Sequence, residues 1–293
     1  MTISADTQIT ELTVNDHACL TFGEPEELFD LTAAFVRDGL DGGLKVVWLS
    51  DATPDRATAE LARRGIAVED ALASGQLVAA SYDGRLLDGQ AFSAGQAMTW
   101  LAAEMATAGN QGLRLAVDMS WALGPVTGVE QLPEFEEKVA AALAGTATSV
   151  LCQYDRERFD PVTLASVAAF HTRSVAAATY HADVMLRICR QYAPPGIRLA
   201  GELDYQACDS LALALTEALR LEGDVTVNAV PLAFIDATCT RMILDAARGL
   251  DAARGLPEAR RMILRCRPGL AARFVLLGAA DIPALRVVTV DDH

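Results

Sequence analysis

Apolar and polar positions alternate along this chain in two rhythms. From Glu26 to Leu40, Leu28, Leu31 and Phe35 share one helical face while Glu27, Asp30 and Asp38 fall elsewhere, which predicts a helix that Gly42-Gly43 stops. Residues 45–50 (KVVWLS) then form a short continuous apolar run, the pattern of a strand buried in a parallel sheet. The exchange repeats. Helices are predicted at 54–64 behind Pro54, at 93–108 with Ser93 as N-cap, at 132–144, and at 161–171 behind Pro161. Strands are predicted at 76–81, at 113–117 ending in Asp118, at 148–154 and at 184–189. The alternation implies an α/β fold with a mainly parallel sheet and helices on both faces.

At Tyr192-Ala193-Pro194-Pro195-Gly196 the rhythm breaks. Pro-Pro-Gly continues neither a helix nor a central strand, so a short stiff linker is expected there, separating a domain at 1–193 from a smaller one at 194–293. The second domain repeats the α/β pattern, with strands at 197–200, 224–230, 261–266 and 285–290 and helices at 208–221, 236–249 and 269–277.

The net charge of −15 is unevenly shared: residues 1–195 carry 13 basic and 26 acidic side chains, residues 196–293 carry 11 and 13. Such an acidic N-terminal part argues against nucleic acid and against an anionic membrane surface as partners. No apolar run has the length of a membrane span, and Met1-Thr2-Ile3-Ser4-Ala5-Asp6 lacks the features of a secretion signal, so a cytoplasmic location is expected. The six cysteines, at 19, 152, 189, 208, 239 and 266, are scattered without a CxxC pair and read as reduced thiols.

Chemistry concentrates in a few residues. If His17 and Cys19 lie in a strand they share one face. With Cys152 and His171 they make two thiols and two imidazoles, a sound zinc set. The alternatives are a pocket for a small organic ligand lined by His17, Cys19, Phe22, Trp48, Cys152 and Tyr154, nucleophilic catalysis for which no orienting third residue is evident, and purely structural roles. Asp118 ends an apolar strand, where parallel sheets place their ligands. The nearest match to a phosphate-binding loop, Gly39-Leu40-Asp41-Gly42-Gly43-Leu44-Lys45, has its lysine in the wrong context, so ATP hydrolysis is not expected. Arg156 and Arg158 interleave with Asp155, Glu157 and Asp160 and read as a solvated face.

Asp16-His17-Ala18-Cys19-Leu20, the stretch Thr21-Phe22-Gly23-Glu24 with Glu27, then Leu151-Cys152-Gln153-Tyr154-Asp155, and finally His171 resemble the MEDS domain, the methanogen/methylotroph DcmR-type sensory domain. The resemblance runs from about residue 12 to 190 and departs at His171-Thr172, where members commonly have His-Pro. It implies a RecA/KaiC-like fold and a sensory role.

Gly201-Glu202-Leu203-Asp204 and Phe234-Ile235-Asp236-Ala237-Thr238-Cys239-Thr240-Arg241 together resemble the STAS domain of anti-sigma factor antagonists, over residues 197–290. That implies a docking surface for an anti-sigma factor with a kinase-like fold, around Asp204, Asp236, Ala237 and Thr238. Asp236 also reads simply as the cap of the helix that follows. Ala237 stands where the family often has a phosphorylated serine, Cys239 where it has a glycine, and Asn228 where an Asp is common. Thr238 offers the next hydroxyl for phosphorylation, turned by about 100° on the helix. The combined expectation is a regulator in which ligand sensing by the first domain controls partner binding by the second. The alternatives are a metal-binding protein or enzyme built on His17, Cys19, Cys152 and His171, and a scaffold that uses both domains for homo-oligomer contacts.

Overall fold

A computed structural model describes residues 7–221, 223–252 and 260–290. The chain divides into two compact units, Met1–Ala176 and Ala177–His293.

In the first unit the elements follow in the order β1 (His17–Phe22), α1 (Pro25–Asp41), β2 (Lys45–Leu49), α2 (Pro54–Arg63), α3 (Val68–Ala73), β3 (Leu77–Ala80), a small β4 (Leu87–Asp88) and β5 (Ala91–Phe92) ribbon, α4 (Ala94–Ala108), β6 (Leu113–Asp118), α5 (Leu132–Leu143), β7 (Thr148–Asp155), α6 (Pro161–Ala168) and β8 (Arg173–Val175). The sheet has the order β3-β2-β6-β7-β1-β8, and every pair along it is parallel. Runs of four, six and seven consecutive buried residues in β2, β6 and β7 fit that sheet, because each strand is covered on both faces. Val47, Leu115, Val117 and Cys152 point to the side covered by α4, α5 and α6. Trp48 points to the other, where it meets Phe29 of α1 edge to face with ring centroids 6.0 Å apart. The α/β expectation with a parallel sheet therefore holds for this unit.

The second unit continues with β9 (Thr179–Ala182), β10 (Leu186–Tyr192), β11 (Pro195–Leu203), α7 (Cys208–Ala218), β12 (Val225–Ala229), β13 (Leu232–Ile235), α8 (Ala237–Ala252), β14 (Met262–Cys266), α9 (Pro268–Leu276) and β15 (Leu285–Thr289). Its sheet runs β15-β14-β12-β11-β10-β9, with β13 also paired to β11. The pairs β9–β10 and β10–β11 are antiparallel and the others parallel. Leu211, Leu215, Ile243, Leu244 and Phe274 of the three helices close one core over Val225, Val227 and Leu264.

The division differs from the expected one. The strand expected at 184–189 as the last of the first domain starts at Leu186 and is β10 of the second sheet, and Pro-Pro-Gly is a hairpin end rather than a linker. Pro195 opens β11 opposite Tyr192, where its missing N–H removes no interior ladder bond. Gly196 follows with positive φ, and a Cβ there would stand 1.8 Å from the Thr226 carbonyl oxygen. The helix expected to reach His171 ends at Ala168. Among the described residues no helix is long and apolar enough to cross a membrane.

Candidate functional site

Strand alternation decides which of the candidate residues meet. His17 and Cys19 lie on one face of β1, and Phe22, five residues after His17, lies on the other. Cys19 pairs in register with Cys152 on β7, so His17, Cys19, Cys152 and Tyr154 all face α5 and α6. Phe22 and Trp48 face α1. The single pocket expected from sequence is thus two sites on opposite sides of the sheet.

The first site is buried and centres on Glu136 of α5, which sequence reading did not single out. Its Oε1 accepts the Tyr154 hydroxyl at 2.5 Å. Its Oε2 lies 3.0 Å from His17 Nε2, 3.5 Å from the Cys152 thiol that donates to it, and 3.5 Å from His171 Nε2. Cys152 Sγ is also 3.5 Å from His17 Nε2. The imidazoles of His17 and His171 lie 4.0 Å apart, centroid to centroid. Thr172 sets that approach: its hydroxyl accepts the His17 N–H at 3.1 Å and donates to the His17 carbonyl at 3.0 Å. His171 has its Nδ1 2.8 Å from the Val167 carbonyl, which can only accept, so Nδ1 carries the proton. The potential ligand atoms of His17, Glu136, Cys152 and His171 all lie within 4.8 Å of one another. Cys19 stands next to this group in the core and outside it.

The electrostatics follow from burial around one carboxylate. Burial pushes Glu136 up, but the His17 hydrogen bond, the two imidazoles and the Tyr154 hydroxyl bring it below the usual carboxylate range. Burial, and then the proximity of His17, lowers His171 to about 4 against the pull of Glu136. We take Glu136 as ionised, held by its hydrogen-bond donors, and His171 as neutral. Burial and the Glu136 charge push the Cys19 thiol up to about 12, and the Cys152 thiol and the Tyr154 hydroxyl well above their ordinary values, so both cysteines are thiols here.

The second site is an open cleft of about 230 Å³ at the C-terminal ends of β1, β2, β6 and β7. Phe22, Phe29 and Trp48 give it an apolar wall, and Asp51, Asp118, Arg56 and Arg158 bring charge to it. Arg158, expected on a solvated face, belongs to this lining. Asp118 Oδ1 accepts the Ser120 N–H at 2.9 Å and the Ser120 hydroxyl at 2.6 Å. Burial nevertheless raises its pKa, outweighing those bonds. The indole N–H of Trp48 is buried without a hydrogen-bond partner. At the β1–α1 turn, Glu27 accepts the Gly23 N–H at 3.0 Å, and Arg156 packs where a Gly23 side chain would stand, 2.5 Å from an added Cβ.

Residues 16–172 match the family described as MEDS, MEthanogen/methylotroph, DcmR Sensory domain. The chain belongs to the MEDS family. Its matched span begins one residue before His17 and ends one after His171, so both imidazoles of the buried cluster lie inside it. Among solved structures, this MEDS chain is similar to a KaiC-like protein, PH0186, from Pyrococcus horikoshii OT3, with 11% identity, a TM-score of 0.45, and 61% of this chain and 79% of that one covered. It is also similar to the flagellar accessory protein FlaH from Methanocaldococcus jannaschii, with 12% identity, a TM-score of 0.44, and 63% and 83% covered. No curated protein matches it.

Beyond the MEDS span, the two acidic turns expected to act together are neighbours. Leu203 pairs with Ile235 in parallel register, so Asp204 and Asp236 end adjacent strands. Asp236 Oδ1 accepts the Cys239 N–H at 2.7 Å and caps α8. Asp204 Oδ1 accepts the Gln206 N–H at 2.9 Å, and its carbonyl accepts the Cys239 thiol at 3.2 Å. Ala237 and Thr238 are exposed on the first turn of α8. Asn228 lies apart, its amide donating to Gln191 at 2.8 Å within the sheet.

Proposed function

We propose that this MEDS protein is a signalling regulator that senses a small organic molecule in the cleft at the strand ends and reports its occupancy through the second unit. The observation that carries the reading is the unpartnered indole N–H of Trp48, a residue of the cleft wall. A buried donor left without a partner is costly, and a ligand acceptor would satisfy it. The cleft is smaller than the roughly 300–1,000 Å³ of pockets for drug-sized ligands, which suits a small molecule with an apolar body and a polar group. A nucleotide suits it poorly. Glu27 already takes the Gly23 N–H, Pro25 has none, and Glu24, Glu26 and Glu27 surround the helix end where a phosphate would sit. The reading therefore includes no ATP hydrolysis.

The second unit would act as a STAS-like docking module for an anti-sigma factor of kinase-like fold. The paired turns at Asp204 and Asp236 support this, with Ala237 and Thr238 exposed beside them. Ala237 has no hydroxyl, so control by occupancy of the cleft fits better than control by a phosphate at that position. Ligand can act only if it binds two states of the chain differently, and partner must then change ligand affinity by the same factor.

Native mass spectrometry of the full chain isolated from its own host tests the sensing half. A small molecule should be bound and released on denaturation, and Trp48→Phe, which keeps a ring and loses the N–H, should lose most of it. A chain that retains no molecule from its host defeats the reading. The docking half predicts that Thr238→Arg weakens capture of the kinase-like partner without altering the bound molecule; unchanged capture refutes it.

A further inference from the structure

We propose that His17, Glu136, Cys152 and His171 form a tetrahedral site for a zinc-class divalent ion, on the opposite face of the sheet from the sensing cleft. Four of the six ligand-atom separations are close to those of a coordination shell, and all lie within 4.8 Å. Bond lengths of about 2.0–2.1 Å to nitrogen, 2.0–2.2 Å to oxygen and 2.3 Å to sulfur place neighbouring ligand atoms of a tetrahedral ion about 3.3–3.6 Å apart. Here the His17–Cys152, Cys152–Glu136 and His171–Glu136 edges are each 3.5 Å and the His17–Glu136 edge is 3.0 Å.

Hydrogen bonding alone does not account for His171. With its Nδ1 proton given to Val167, Nε2 presents a lone pair, and the atom it faces at 3.5 Å is an oxygen of a carboxylate, which also only accepts. Nε2 has no hydrogen-bond partner although the side chain is 1% exposed. Two acceptors converging in a dry core are explained by a cation between them. The surroundings are those that metal ligands require. A ligating histidine donates its other ring N–H to a carbonyl, as His171 does, and a ligating carboxylate is steadied through its second oxygen, as Tyr154 does for Glu136. His17 lacks such support at Nδ1 and is positioned instead through its backbone by Thr172.

All four ligands come from the protein and all are buried, so the shell would be closed and the ion structural rather than catalytic. Binding would release the Cys152 thiol proton to solvent and shift the His17 proton from Nε2 to Nδ1, leaving one thiolate, one carboxylate and two neutral imidazoles around the ion. The ion would join β1, α5, β7 and the segment after α6. Cys19, the thiol nearest in register, would stay outside.

Metal analysis of the purified full chain, followed by replacement with Co²⁺, tests the site. One equivalent of zinc is expected. The cobalt form should show the strong visible bands of a tetrahedral ion and a thiolate-to-cobalt charge-transfer band. Cys152→Ser should abolish that band, and Cys19→Ala should keep both the band and the full equivalent. If Cys152→Ser does not fold, Glu136→Gln read on folded protein should lower Zn²⁺ affinity at least ten-fold. A full chain that retains no ion and gives no charge-transfer band on Co²⁺ titration overturns the proposal, as does a band that survives Cys152→Ser. A chain that holds zinc but no molecule at Trp48 refutes the sensing cleft and leaves this site standing.

Discussion

Glu136 shows how one side chain can organise a core. A carboxylate with 0% exposure is stable only when its oxygens are matched by donors, and Tyr154 supplies the shortest match. Tyr154→Phe should therefore lower unfolding stability by about 1–3 kcal/mol, the cost of leaving a buried acceptor short of a partner, measured by urea denaturation. Asp118 behaves oppositely. Burial raises its pKa in the folded chain, so between the ordinary carboxylate value and the raised one the unfolded chain binds fewer protons, and stability falls as pH rises through that window. Asp118→Asn keeps an acceptor for Ser120 and removes the charge, so its melting temperature at neutral pH should exceed that of the parent and its decline with rising pH should flatten. Much of this was legible in the residues. His17, Cys152 and His171 declared themselves by chemical type. Glu136 did not, because it sits in a helix with acidic neighbours at 134 and 137. Its spacing was the available signal: one turn after Leu132 and three residues before Val139, it falls on the apolar face. The split into two sites was legible as well, since an odd separation in a strand sends His17 and Phe22 to opposite faces.

Among the elements, α1, α2, α4, α5 and α6 and the strands β2, β3, β6 and β7 followed from periodicity, whereas α3 was not expected, β1 entered only as a condition, and β8 and β13, of three and four residues, are too short to show a rhythm. Their pairing comes from tertiary neighbours, not local sequence. The Gly201 turn does have a local cause. Gly201 has φ of 100°, the register between β11 and β13 shifts there, and an added Cβ would lie 2.0 Å from the Met185 carbonyl oxygen. Gly201→Ala should cost roughly 2–4 kcal/mol through strain and clash together, seen as a loss of thermal stability of the second unit. Asp236→Ala should cost about 1 kcal/mol by removing the cap on α8. Comparison of the two variants in partner capture separates a docking role of the turn from simple loss of stability.

At the scale of the molecule, each unit owns a sheet and a core. A fragment ending at Ala176 and one beginning at Ala177 should each give cooperative unfolding and dispersed amide resonances. A fragment beginning at Pro194, the boundary that Pro-Pro-Gly suggests, should not, because it discards β9 and β10 with Leu186 and Ile188 of the core. Proline and glycine mark where a chain turns, and whether that turn joins domains or strands depends on pairings far away in sequence. The place of β1 carries this further. It lies between β7 and β8, with His17 opposite Val150 and Ala18 opposite Arg173. During synthesis the first strand of the unit must wait for the last two before it has either neighbour, and such distant pairing forms slowly. The buried cluster, drawn from both ends of that span, can close only on a finished unit. Its closure would serve as a seal on complete chains: a truncated or stalled product would expose His17 and Cys19 on an unpaired strand and be open to removal by proteolysis.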